Sequence, residues 1–272
     1  MIRVALTGFL IFVLHISNAQ SDSNISWKLK DSLSCDSNAI WTVDWIGNLI
    51  IQQDGSIIKY DTTGHKLFSQ SIKKIGSLHS ILPVNAMKIA LFSEEQQSVC
   101  ILDNTLTLSQ ECIDLDRYDI QWASCFSPSG QQEKIWVFDE LNNRLLLIST
   151  NNTSQFQEIK NVRGILNSTS ILEIEEFENR LFVKEDQGRL FEFDIYGSLV
   201  DVYDVEGVID FEFRNGKVVF LDENQKQFIL VDDYSEIRFD LPIHNVRKFK
   251  ISGSYFFLQT VDKILKYEVS FL

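Results

Sequence analysis

The segment from Leu181 to Asp194 reads LFVKEDQGRLFEFD and contains the pattern on which the fold depends. A first apolar run is followed by a polar turn with two acids and a glycine, and then by a second apolar run that ends in an acid. In the second run Phe191 and Phe193 stand on either side of Glu192, and this period of two indicates a β-strand. Two such strands joined by a short polar turn predict a β-hairpin.

The same design occurs six times along the chain. Each copy is anchored by an apolar residue of its first run, at Ile50, Ile89, Ile135, Leu181, Val218 and Phe256. Successive anchors are 39, 46, 46, 37 and 38 residues apart. A repeat of about 41 residues is the length of a four-stranded propeller blade. We therefore predict an all-β, six-bladed β-propeller of four-stranded antiparallel blades, forming one domain over residues 20–272, with a solenoid of stacked repeats as the alternative.

Further apolar segments flank the hairpins. Those before the hairpins, the predicted first strands, are Trp41–Ile46, His79–Val84, Gln121–Ser127, Ile171–Glu176, Val208–Arg214 and Arg247–Ser252. Those after them, the predicted fourth strands, are Leu67–Ile72, Leu108–Ile113, Phe156–Ile159, Leu199–Tyr203 and Glu236–Leu241. The sixth repeat has no fourth strand, whereas Ile25–Leu33 is a strand-like segment without a blade. We expect this N-terminal strand to complete the last blade and close the ring, because closure removes exposed sheet edges.

The first 19 residues have the features of a signal peptide. Arg3 precedes a mostly apolar stretch, and small residues stand at the positions read by a signal peptidase before Gln20. We predict cleavage there and export to a periplasmic or extracellular space, with a buried N-terminal strand as the alternative. The formal net charge of −13 disfavours nucleic acid and anionic membranes as partners, and no membrane insertion is expected.

The four cysteines do not form a zinc-binding pattern, because no C-x-x-C pair is present. An oxidising compartment permits a Cys100–Cys112 disulfide across a hairpin. The alternative favoured by the repeat is that Cys100 is a small buried hydrophobe, because other repeats place Ile, Leu or Phe there. The pairing of Cys35 and Cys125 is left open.

Two blade segments carry a resemblance to known proteins. Residues Ile58 to Leu67 read IKYDTTGHKL, and residues Phe193 to Val200 read FDIYGSLV. These phrases resemble those of the six-bladed propellers of exported proteins, the TolB-like and NHL-like groups. The resemblance implies the propeller architecture, and it implies binding or scaffolding more often than hydrolysis.

The turns between second and third strands carry at least one acid in every blade. In a propeller these turns share one rim with the links between blades. A ring of negative potential there would attract a basic partner or a cation, although acids are also ordinary turn residues. The predicted ligand-binding residues on this rim are Asp54, Glu95, Asp139, Glu140, Asp186, Asp222, Glu223 and Asp262.

A second group of acids lies on the predicted first strands, which face the central channel. These residues are Asp44, Glu173, Glu175, Asp210 and Glu212. They could hold the metal of a lactonase-like or esterase-like hydrolase, although ion pairs with Lys248 and Lys250 explain them equally well. His79 and His244 are candidates for a metal site or a base, and Asp114–Asp119 is an incomplete calcium loop because Tyr118 replaces an oxygen ligand.

No catalytic constellation and no cofactor is predicted from these residues. The sequence favours a non-enzymatic binding or scaffold module for a protein, peptide or glycan. A metal-dependent hydrolase is the alternative.

Overall fold

The computed structural model describes residues 25–71, 73, 75–205, 207–222, 227–232 and 235–271. The predicted signal segment, residues 1–19, lies outside this range. The described chain is almost entirely β-structure, with one short 3₁₀ helix (Leu115–Tyr118) and one short α-helix, α1 (Val162–Leu166). Neither helix is long and apolar enough to cross a bilayer, and no other helix occurs in the described residues.

The strands are numbered in chain order. The N-terminal strand and the first three blades comprise β1 (Ile25–Ser34); β2 (Trp41–Val43), β3 (Leu49–Gln53), β4 (Ser56–Tyr60), β5 (Lys66–Ser71); β6 (Ser80–Asn85), β7 (Lys88–Ser93), β8 (Ser98–Asp103), β9 (Ile113–Asp114); β10 (Ala123–Pro128), β11 (Lys134–Asp139), β12 (Arg144–Ser149), β13 (Gln155–Lys160). The last three blades comprise β14 (Ile171–Phe177), β15 (Arg180–Glu185), β16 (Leu190–Phe193), β17 (Leu199–Tyr203); β18 (Val208–Arg214), β19 (Lys217–Asp222), β20 (Gln227–Asp232), β21 (Ser235–Asp240); β22 (Lys248–Ser252), β23 (Tyr255–Gln259), β24 (Lys263–Phe271).

The strands form six four-stranded antiparallel sheets, which are the blades of a propeller. Five blades are continuous in sequence, and the sixth has the order β1-β24-β23-β22. Strand β1 pairs antiparallel with β24, from Ile25 opposite Phe271 to Ser34 opposite Lys263. The predicted ring closure by the N-terminal strand is therefore confirmed, as is the six-bladed fold.

The hydrophobic core lies between neighbouring blades. The second and third strands of the blades are buried on both faces, which explains why they read as continuous apolar runs. Ile50 and Ile57 of the first blade pack with Leu91 and Cys100 of the second in one such cluster. Because each blade borders two others, no blade has an independent core.

The fourth strand of the second blade is the main departure from the sequence prediction. A strand was expected over Leu108–Ile113, but β9 contains only Ile113 and Asp114. The polar residues 109–111 have no apolar alternation, and the segment is held by a disulfide between Cys100 and Cys112. Cys100 is also fully buried, so it is both a disulfide partner and a small residue of the core. Cys35 and Cys125 are free thiols.

The first strand of the first blade is also shorter than expected. Strand β2 ends at Val43 because the carboxylate of Asp44 accepts hydrogen bonds from the backbone N–H groups of Ile46 and Asn48. This local turn replaces the ladder and competes with strand pairing. As a result Trp45 leaves the sheet and lies in the turn, where it is 66% exposed.

Candidate binding site

Two of the acids predicted for the second-turn rim, the rim formed by the turns between second and third strands, are buried. Asp139 and Asp222 are both fully enclosed, with 0% exposure. The Asp139 carboxylate accepts hydrogen bonds from Asn142 Nδ2 at 2.7 Å and Arg144 Nε at 3.1 Å. It therefore closes its own turn and has no surface to present to a partner.

The equivalent residue of the fourth blade shows the same arrangement. Glu185 is fully buried and accepts hydrogen bonds from Arg189 and from Ser168, which lies on the link from the third blade. Although burial raises the pKa of Glu185, the hydrogen bonds from Arg189 lower it to about 2. The Glu185 carboxylate therefore connects the turn between the second and third strands to the link that precedes the fourth blade.

The other rim acids are spread around the ring. Glu140 is partly exposed and forms an ion pair with Arg163 at 2.7 Å, and Glu223 lies outside the described residues. Four acids are exposed: Asp54, Glu95, Asp186 and Asp262. None of the four lines the channel cavity described below. As a contact surface the rim remains a prediction.

The acids that end the third strands also have a structural role. The Asp61 carboxylate accepts hydrogen bonds from the N–H groups of Thr63 and His65, and Asp103 does the same for Thr105 and Thr107. A hydrogen bond from the Thr63 hydroxyl is the main cause that lowers the pKa of Asp61 to about 2. These acids stabilise the turn into the fourth strand.

All six blades contribute to one concave feature, the central channel. A cavity of about 470 Å³ is lined by residues of the first strands of every blade. It extends from the middle of these strands to the turns that follow them, including Trp45, Gly130, Glu178 and Gly253. The cavity therefore opens on the face formed by the turns between first and second strands, which we call the first-turn face. This face is opposite the second-turn rim.

The mouth of the cavity has an apolar collar, defined by Trp45, Pro83, Val84, Phe177, Phe213 and Ile251. The rings of Phe177 and Phe213 lie 4.4 Å apart and within 3° of parallel, so they form a flat aromatic wall. Ile46 and Met87, which lie in turns on the same face, are 67% and 60% exposed. Large apolar side chains are thus exposed beside the opening.

The floor of the cavity is charged. Glu212 forms a buried ion pair with Lys250. Asp44, in the turn after β2 on the first-turn face, forms another with Lys59 at 2.9 Å, and both side chains are 4% exposed. Burial raises the pKa of Glu212 to about 7 despite the lysine. Burial lowers the pKa of Lys250, but the surrounding carboxylates, Glu212 first among them, raise it above its usual range, so the ammonium remains charged.

Two further carboxylates of the floor have no such partner. Within the described residues neither Glu173 nor Glu175 has a hydrogen bond or an ion pair from its side chain. Burial in the channel and the adjacent Glu212 raise the pKa of Glu175 to about 8. At neutral pH the Glu175 carboxyl is therefore largely protonated in the free protein.

A hydroxyl in the same cavity also lacks a partner. Thr42 lines the cavity beside Asp44 and is 1% exposed. Among the residues that the structure describes, its Oγ1 has no hydrogen-bond partner. A buried hydroxyl left in this state is destabilising, because its hydration is lost without replacement.

A groove leads outward from the collar between the second and third blades. It encloses about 570 Å³ and shares Trp45, Val84, Ser129 and Gly130 with the channel cavity. Its walls are mostly polar and include Lys88, Glu133 and Lys134. The cavity and the groove together form one concave surface on the first-turn face.

The remaining candidate residues do not assemble a metal centre. No three His, Cys, Asp or Glu side chains among the described residues are arranged to hold a metal ion. His79 instead lies 3.0 Å from Glu94, and His244 is exposed. Asp114, from the incomplete calcium loop, accepts a hydrogen bond from the N–H of Asp116 at the start of the 3₁₀ helix.

The collar was not identified from the sequence, although its signal was present. Phe177 and Phe213 occur at the ends of first strands in which acids alternate with apolar residues. That alternation predicts acids that face the channel. Glu173, Glu175 and Glu212 do line the cavity, and Glu212 forms an ion pair with Lys250, whereas Asp210 is not part of the lining and accepts a hydrogen bond from the Phe249 N–H. What the sequence could not show is which end of the channel is open.

Comparison with known proteins supports the fold. No family model and no curated protein matches the chain. Solved structures do match: a streptogramin B lyase at 14% identity and a TM-score of 0.61, covering 90% of this chain and 98% of that one. Virginiamycin B lyase from Staphylococcus aureus matches at 10% identity and a TM-score of 0.61, covering 89% and 99%. The Pan2 WD40 domain of Neurospora crassa matches at 12% identity and a TM-score of 0.61, covering 91% and 96%. At these identities the likeness shows the fold alone, and the chain is a member of the β-propeller fold.

Proposed function

We propose that this protein is an exported, non-enzymatic binding module that holds a protein or peptide partner on its first-turn face. The observation that carries the proposal is the continuous concave surface formed by the channel cavity and the groove, with Trp45 exposed where the two meet. An extended segment can lie in the groove while one of its side chains enters the cavity. Exposed aromatic residues beside a pocket are typical of binding surfaces.

Export is supported by two features of the chain. The apolar N-terminal segment has the order of a signal peptide, and the Cys100–Cys112 disulfide is of a kind that persists in oxidising compartments. The two features are independent, because one is a sequence pattern and the other is a spatial pairing.

The hydrolase alternative has less support. Its metal was expected at the channel carboxylates, but Asp44 and Glu212 form ion pairs with lysines. The names of the similar structures include lyases and a component of the mitotic checkpoint complex, so the fold does not choose between enzyme and binding module.

Site-specific photo-crosslinking tests the proposed face. A photoreactive amino acid replaces Ile46 on the first-turn face or, as a matched control, Asp186 on the second-turn rim, since both side chains are exposed. We expect a defined crosslinked partner from position 46 and none from position 186. The reverse result would transfer the contact surface to the acidic rim, and crosslinks from neither position would contradict the proposal.

A further inference from the structure

We propose that the channel cavity receives a cationic side chain of the partner, whose guanidinium or ammonium group is held at Glu173 and Glu175. The inference rests on the proposed binding function and deepens it by naming the chemistry of the group that enters. It is carried by the charge balance of the cavity, by the hydroxyl of Thr42 and by the composition of the collar.

Carboxylates outnumber basic groups in the lining of the cavity, and the nearby ammonium group of Lys248 also acts on Glu173. The lining contains one lysine, Lys250, and no arginine among the described residues, and six carboxylates belong to it: Asp44, Glu173, Glu175, Glu176, Glu178 and Glu212. Glu212 and Asp44 are neutralised by lysines, and Glu176 accepts hydrogen bonds from Ser129 and Trp136. Glu173 and Glu175 remain without a donor. A narrow cavity with low-dielectric walls concentrates this potential and favours a cation.

The Thr42 hydroxyl is an independent indication of a ligand. It is 1% exposed, unpartnered and located in the wall of this same cavity. An entering ammonium or guanidinium group supplies N–H donors to the two carboxylates and, after a rotation that brings Oγ1 to the cavity surface, to the Thr42 hydroxyl. A neutral apolar side chain would supply none of these donors.

The collar indicates an organic cation on an apolar stem. Lysine and arginine have long methylene stems that pack against apolar surfaces while their head groups remain in a polar environment. The parallel rings of Phe177 and Phe213 provide such a surface at the entrance, and aromatic faces also attract cations. A guanidinium is more weakly hydrated than an ammonium and binds carboxylates in a bidentate manner, so arginine is the better fit.

Binding of a cation should release a proton. Glu175 is faced by the carboxylates of Glu173, Asp210 and Glu212 and by the ammonium group of Lys250. In the free protein, burial and these acids keep the Glu175 carboxyl largely protonated at neutral pH. A cation beside it favours the carboxylate and displaces the proton to solvent. Affinity should therefore rise as the pH increases from about 6 to about 9.

The test uses three probes and isothermal titration calorimetry on the purified protein. The probes are the peptide acetyl-Gly-Gly-Arg-Gly-Gly-amide, its neutral citrulline analogue and free n-butylguanidinium. Titrations at pH 7.0 in two buffers of different ionisation enthalpy also count the protons released. We expect the arginine peptide to bind at least about tenfold more tightly than the citrulline peptide, with net proton release.

The variants are Glu175→Gln, the double variant Glu173→Gln/Glu175→Gln, and Asp186→Asn as a charge-matched control on the second-turn rim. We expect the double variant to lose about tenfold or more in affinity for the arginine peptide and the control to be unchanged. Glu175→Gln alone should abolish the proton release, a signature that a purely structural carboxyl would not produce. Thermal unfolding of each variant establishes that it is folded.

The outcomes separate the possibilities. Equal affinity for the arginine and citrulline peptides, or no binding of any probe up to about 10 mM, would overturn the inference. If n-butylguanidinium binds as tightly as the peptide, the cation is recognised as a free small molecule. If the arginine peptide binds more tightly than n-butylguanidinium, the cation belongs to a protein partner. Crosslinking from position 46 that persists in the double variant would leave the binding function standing while the cationic side chain is rejected.

Discussion

At the scale of single residues, Glu175 gives the protein a pH dependence that can be measured without a ligand. Burial raises its pKa to about 8 in the folded protein, above the ordinary value of 4.5. The folded state therefore binds more protons than the unfolded state between these pH values, so the free energy of unfolding falls as the pH rises through this window. The contribution of protonated Glu175 to the free energy of unfolding is fully present below pH 4.5 and is lost above about pH 8.

The variant Glu175→Gln should remove that contribution. We expect its melting temperature, relative to the wild-type protein, to increase progressively from pH 5 to pH 9, because the variant has no proton to lose. Glu95→Gln is the control, since this glutamate is exposed on the second-turn rim. A difference between Glu175→Gln and wild type that stays constant with pH would show that Glu175 titrates at its ordinary pKa.

Thr42→Val tests the unpartnered hydroxyl. An unsatisfied buried hydroxyl costs about 1–3 kcal/mol, so a valine of similar shape should leave the free energy of unfolding unchanged or increase it. Ser127→Ala is the contrasting variant, because Ser127 Oγ accepts a hydrogen bond from the Glu176 N–H and donates one to the Pro128 carbonyl. Urea denaturation should show a loss of about 1 kcal/mol for Ser127→Ala alone. A loss of that size for Thr42→Val would mean that the hydroxyl has a partner.

At the scale of strands and turns, the acids that end the third strands are expected to stabilise the blades. In Asp103→Ala the turn loses hydrogen bonds to the Thr105 and Thr107 N–H groups and to the Thr105 hydroxyl. The free energy of unfolding measured by urea denaturation should therefore fall, and by more than in the control variant that follows. Glu95→Ala, an exposed turn acid in the same blade, should change the free energy of unfolding by less than about 0.5 kcal/mol. Equal effects would mean that the Asp103 bonds contribute nothing.

The strands themselves were predictable because alternation and turn residues are local signals. Strands β17 and β18 begin and end where the sequence predicts, and the surplus N-terminal strand predicts its own pairing with the incomplete last blade. The roles of the acids were not predictable in the same way. Asp139 and Asp186 both belong to turns between second and third strands, yet one is fully buried and the other exposed. Asp139 is the last residue of its second strand, as the buried Glu185 is, whereas Asp186 is the next residue, in the turn itself.

At the scale of the whole molecule, the ring depends on the contacts of β1. Trp27 lies partly buried between the last two blades, with its ring 5.4 Å from that of Phe256 in the sixth and 6.0 Å from that of Phe228 in the fifth. The core of each blade is formed with its neighbours. Weakening the contacts of Trp27 therefore exposes apolar surface of the fifth and sixth blades together. Trp27→Ala should therefore lower the free energy of unfolding by about 3 kcal/mol.

Leu29→Ala on the same strand is the matched control. Because Leu29 is 53% exposed, this substitution should lower the free energy of unfolding by less than about 0.5 kcal/mol. Hydrogen exchange then shows whether Trp27 stabilises the whole ring or only the two blades that it contacts. If ring closure stabilises the whole propeller, Trp27→Ala should reduce the protection of slowly exchanging amides in every blade by the same factor, since they exchange through global unfolding. Reduced protection confined to the fifth and sixth blades would instead mean that these blades open locally and that the rest of the ring is stable without closure.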